Sequence, residues 1–201
     1  MKTFMKILKA VGALGLICYD VVLIAAASGY ENGGWLDEIV LAGAGLLVLL
    51  AVFSFAGGKF KKIMGGALMG VSVLNFLLRV VSVAASLVLF RTVVGSADYS
   101  RQIFLYYCAS AIFVAAVFLC GFTAFKPHLY KAAGIVFAVS LVAFAVFYVW
   151  MFITANYSLT DISNYIGLLE GKNIALLPPA AILCETAVFI DLCFAKEVFN
   201  D

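Results

Sequence analysis

Apolar residues fall into six long runs along the chain, near 10–28, 39–57, 63–90, 103–125, 132–155 and 174–195. Each approaches or exceeds the roughly 20 residues that a helix needs to cross a ~30 Å hydrocarbon core. Such unbroken runs do not suit the alternating strands, about ten residues long, of a membrane barrel. A helix satisfies its own backbone hydrogen bonds in lipid. The pattern therefore predicts an all-α fold, a polytopic bundle of six transmembrane helices forming one integral membrane domain over residues 1–201. Between the fifth and sixth runs, Leu159, Ile162, Tyr165, Ile166 and Leu169 recur at helical spacing. Thr160 can cap the start of this stretch and Gly171 its end. A short amphipathic helix near 159–170, lying on the outer membrane surface, is expected.

Composition changes the picture only by excluding a soluble protein. The chain is 66% hydrophobic and 12% charged, against about 45–50% and about 25% in soluble domains. A chain of 201 residues keeps too much surface exposed to bury that excess, so apolar surface must face lipid. The net charge is +2, with no basic block interleaved with aromatics, which argues against a nucleic-acid partner. The expected partners are the bilayer and, given the small size, further copies of the chain or a partner membrane subunit. The odd set of cysteines, Cys18, Cys108, Cys120, Cys184 and Cys193, lies inside apolar runs without a CxxC. It reads as buried thiols rather than a disulfide framework or zinc site.

Charge sets the expected orientation. One group of flanks holds Lys2, Lys6, Lys9, Lys59, Lys61, Lys62, Lys126, Lys131 and Lys196; the other holds Arg91, Arg101 and Lys172. This asymmetry alternates consistently over six crossings and puts both termini in the cytoplasm. A multi-pass protein of the cell membrane is expected. Trp35, Tyr99, Tyr106, Tyr107, Tyr148 and Trp150 fall near the outer interface, where amphipathic rings favour headgroup depth. The stretch from Lys2 to Ser28 resembles a cleavable signal peptide, but Asp20 inside its apolar run favours a retained helix. Ile17 before Cys18 argues against a lipoprotein site. Asn156-Tyr157-Ser158 matches a glycosylation acceptor and is assigned no role. Residues 53–72 and 122–140 share a helix, basic-turn, helix pattern that suggests duplication only weakly.

The third run carries the clearest chemical signal. Ser72, Asn75, Arg79, Ser82 and Ser86 recur at spacings of 3, 4, 3 and 4, which places all five on one helix face. Lipid cannot satisfy such a stripe, so it should face other helices or water. Gly66 and Gly70 form a GxxxG at its cytoplasmic end, a motif that permits close helix contact. Near the middle of their spans lie Arg79, Asp20 of the first run and Glu185 of the sixth. Each charge costs about 2.5–3.5 kcal/mol on insertion scales before pairing. Arg79 offers five donors in a fixed fork, and contact with Asp20, Glu185 or both is expected. Asp191 lies six residues nearer the cytoplasmic face than Glu185 and could guard the mouth of a pathway.

The candidate site is therefore Asp20, Asn75, Arg79 and Glu185, with Ser72, Ser82, Ser86 and Asp191 secondary. Intramembrane ionisable residues are functional candidates by default, and two acids with one base leave a surplus carboxylate. The expected function is transport or binding of an ion, proton or small polar solute. The alternative is a non-catalytic membrane scaffold or accessory subunit whose third-helix stripe binds a partner helix. HExxH, GxSxG and P-loop motifs are lacking, and the single histidine, His128, sits in the Lys126–Lys131 turn. No enzyme, cofactor or metal site is expected.

Overall fold

The computed structural model describes residues 2–27, 35–93, 97–155, 177–190 and 192. Among them every element is helical and no strand occurs. The helices are α1 (Lys2–Ala27), α2 (Trp35–Phe55), α3 (Gly58–Val93), α4 (Ala97–Phe122), α5 (Tyr130–Ala155) and α6 (Leu177–Phe189), with a 3₁₀ turn at Pro127–Leu129 before α5. Over their described residues, three stretches are long and apolar enough to cross a membrane: Gly58–Val81, Leu105–Phe122 and Pro127–Phe147. The expected surface helix near 159–170, the triplet at Asn156 and Asp191 lie outside the described residues. So do the side chains of Ser82 and Ser86.

The helix starts differ from the apolar runs for a physical reason. α3 has 36 residues, about 54 Å at 1.5 Å each. It begins at Gly58, before its apolar run, because Lys59, Lys61 and Lys62 are good helix formers. Their ammonium groups need not enter lipid. Gly58 itself has φ +54°, a left-handed conformation that glycine adopts freely and that turns the chain sharply after α2. At the other extreme, α6 carries Pro178 and Pro179 in its first turn, where missing donors cost little.

Consecutive helices pack side by side from α1 through α5, and α6 closes the ring, lying mainly against α1 and touching α5. The interior is filled by Leu16, Leu46, Leu50, Phe53, Leu68, Val114, Val117, Phe137 and Phe189, all buried. Phe137 and Phe189 stack face to face, their centroids 4.0 Å apart, and Phe113 meets both rings edge-on. This aromatic trio joins α4, α5 and α6. The outward faces are apolar as well: Val11, Leu14 and Val21 on α1, and Ile135, Val142 and Val146 on α5, are exposed. That inside-out balance suits a hydrocarbon solvent.

Two crossings are made possible by glycine. A Cβ on Gly65 of α3 would stand 2.7 Å from both Ala124 Cβ and the Gly121 carbonyl of α4; one on Gly121 would stand 2.9 Å from the Gly65 carbonyl. On α1, a Cβ on Gly12 would stand 2.8 Å from Ala187 Cβ and from the Cys184 carbonyl, and one on Gly15 would collide with Cys184 Sγ. The GxxxG at Gly66 and Gly70 does not make the contact expected of it. A Cβ on Gly70 would meet nothing within 4 Å, and one on Gly66 would only graze Phe125. The stripe geometry explains the difference: Gly65 shares the inward face with Leu68 and Ser72, whereas Gly66 and Gly70 turn outward with Val73 and Leu77.

Candidate functional site

The polar cluster is assembled by α1, α3, α4 and α6. On α3, helical spacing turns Ser72 and Asn75 inward, where both are essentially inaccessible, while Val73, Leu74, Phe76, Leu77, Val80 and Val81 are exposed. The inward hydroxyl is satisfied locally. Ser72 Oγ donates to the Leu68 carbonyl at 2.7 Å, and Asn75 Nδ2 donates to the Val71 carbonyl at 3.1 Å. These bonds to the preceding turn are the usual way for a polar side chain to live inside a helix bundle.

Arg79 lies one turn beyond Asn75 and reaches α4. Its Nη1 donates to Ser110 Oγ at 2.7 Å, and Ser110 Oγ in turn donates to the Tyr107 carbonyl at 3.0 Å. Its Nε has no hydrogen-bond partner. The Tyr106 hydroxyl, one turn before Ser110, faces the guanidinium and also feels the Glu185 carboxyl. The Tyr106 ring is wedged against Phe144 and Phe147 of α5, centroids 6.2 and 5.7 Å away. Tyr106, the second residue of the Leu105–Phe122 span, thus stands near a span end and also joins the polar cluster.

Asp20 and Glu185 come from the α1–α6 crossing. Gly12 and Gly15 admit Cys184 and Ala187, which brings α6 close to α1, and the neighbouring Glu185 is buried. Asp20 lies five residues beyond Gly15 on α1, about 7.5 Å along the axis. The helices run antiparallel, and each Cβ tilts toward its own N-terminus, so the two carboxyls lean toward one another. Glu185 is 7% and Asp20 1% exposed, and Glu185 feels the fields of both Arg79 and Asp20. Among the described residues neither Asp20 oxygen has a hydrogen-bond partner. The Val48 amide of α2 is directed toward it without reaching hydrogen-bond geometry.

The direct Arg79–carboxylate contact expected from the sequence is not formed. Among the described residues no ion pair within 4.0 Å joins Arg79 to Asp20 or Glu185. The ring explains why: the principal neighbours of α3 are α2 and α4, while α6 packs on α1 and α5. Arg79 therefore spends a donor on Ser110 beside it, and Glu185 acts on it across the bundle, with Tyr106 in electrostatic reach of both.

Tyr106 and Ser110 were not singled out by sequence reasoning as site residues. Their four-residue spacing on one face of α4 is the signal that could have found them. Among the described residues no group of three or more His, Cys, Asp or Glu side chains could hold a metal ion. No family model, curated protein or solved structure matches the chain.

Proposed function

We propose that this chain is a six-span membrane protein with both ends in the cytoplasm, and that its central cluster binds and moves a small polar solute, ion or proton. Arg79, Tyr106 and Ser110 offer donors for an anionic or hydroxylated group, and Asp20 and Glu185 offer acceptors for a cation or proton. The observation that carries this reading is Asp20, a carboxyl 1% exposed with both oxygens unpartnered. A buried polar group left unsatisfied costs about 1–3 kcal/mol, more when charged. A merely structural role offers nothing to offset that cost, whereas a site awaiting its ligand does. The scaffold alternative is weakened by Ser72 and Asn75, which turn into this bundle rather than out to a partner helix.

The test is charge movement in proteoliposomes on a solid-supported membrane. The purified full chain is challenged with small carboxylates, amino acids, inorganic anions and alkali cations, and with pH jumps. At least one challenge should evoke a transient current that Arg79→Ala abolishes. Silence to every solute and pH jump, from protein shown to be folded, would leave the scaffold reading in its place.

A further inference from the structure

The charges around Asp20 do not balance. Asp20 and Glu185 contribute two negative charges and Arg79 one positive, so the cluster is one positive charge short. On α2, the described side chains facing α1, from Gly45 to Phe55, include no titratable group. From α6 come Glu185 and Cys184, and α1 itself adds Tyr19 and Cys18. Among the described residues no further side chain near Asp20 supplies that charge, which leaves it to a bound species.

A monovalent species fits this count, whereas a divalent ion would overshoot it. A metal cation also needs several oxygen ligands at once. Around Asp20 the other described side-chain carboxyl is that of Glu185, and the nearby backbone group on α2 is an N–H donor directed toward it, which repels a cation. A proton needs only one carboxyl oxygen. The field of Arg79 reaches Glu185, whereas neither Asp20 oxygen has a hydrogen-bond partner among the described residues.

We infer that Asp20 is a proton-binding site, carrying one dissociable proton within the cluster that Glu185 and Arg79 complete. Binding forms one O–H bond on the Asp20 carboxylate, and release breaks it and returns the proton to water or to the bound solute. This rests on the functional reading above and deepens it, because the ion that the cluster exchanges is named as the proton.

The test is infrared difference spectroscopy of the full chain in liposomes between acid and alkaline pH, in H2O and D2O. At neutral pH the wild type should show the C=O stretch of a protonated carboxylic acid, shifted in D2O. The band should vanish in Asp20→Asn and survive in Glu185→Gln. Absence of the band, or its persistence in Asp20→Asn, would overturn the inference. If Asp20→Asn does not fold, the wild-type band remains decisive: it must disappear in a single-proton step at alkaline pH, and a band that never titrates counts against the proposal. A band without charge movement would sink the transport reading alone. Charge movement that needs Arg79, with no carboxylic band, would sink the proton site alone.

Discussion

The α3–α4 crossing at Gly65 and Gly121 and the ionisable cluster about four turns further along α3, where α1 and α6 join those two helices, are built on opposite logic. At the crossing, backbone meets backbone, and a single methyl has nowhere to go. Near the cluster, hydroxyls are complete within their own helices: Ser72 on Leu68 and Ser110 on Tyr107. Yet Asp20 is buried with neither oxygen satisfied. Packing has been optimised in one region and polar satisfaction left open in the other. A protein that needed only a stable bundle would have done the same in both. The proposed binding role of the cluster rests on that contrast.

The contrast can be broken most forcefully at the crossing. Gly65→Leu should destabilise by more than the usual ~1–3 kcal/mol of overpacking, because even a Cβ lands 2.7 Å from the Gly121 carbonyl. Gly70→Ala, where a Cβ meets nothing, should instead hold or gain about 0.5–1 kcal/mol from helix preference. Thermal or denaturant unfolding in detergent compares the two, and equal effects would contradict the packing described. Next, Asp20→Leu should unfold no more easily than wild type and should gain about 1–3 kcal/mol by removing an unsatisfied buried carboxyl, while losing transport. A large loss of stability would instead show that Asp20 is a structural partner. Arg79→Lys keeps the charge but loses the fork that serves Ser110 and Tyr106 together. It should weaken solute-evoked currents about tenfold, a difference of ~1.4 kcal/mol, with little change in melting. Smallest of all, Ser72→Ala and Ser140→Ala should each cost about 0.6 kcal/mol or less and leave transport intact, since these hydroxyls serve only their own helices.

Part of this was readable from residues alone. Arg79, Asp20 and Glu185 stand out because a charge in an apolar run is costly wherever it points, and the 3–4 spacing of Ser72, Asn75 and Arg79 fixes a shared face without knowledge of neighbours. The neighbours themselves are a matter of ring order, which spacing does not encode. Arg79 turned to Ser110 because α3 packs on α4, and nothing local in α3 says so. Tyr106 suits the girdle as a tyrosine near a span end, and its further part in the cluster depends on the guanidinium opposite it, which the sequence of α4 does not encode. Gly121 has no glycine spaced four residues away to make a motif, yet it makes a close contact with Gly65, whereas the formal GxxxG faces outward. Close packing depends on which face a residue occupies, and a motif search ignores faces.

Proton uptake after an acid jump, read by a pH-sensitive dye trapped inside proteoliposomes, tests most directly whether the three ionisable side chains act as one site. The wild type should acidify the lumen faster than empty vesicles. Asp20→Asn, Arg79→Ala and Glu185→Gln, each shown to be folded, should lose that uptake or shift it along the pH axis. Uptake identical in the wild type, the three variants and protein-free vesicles would contradict the account.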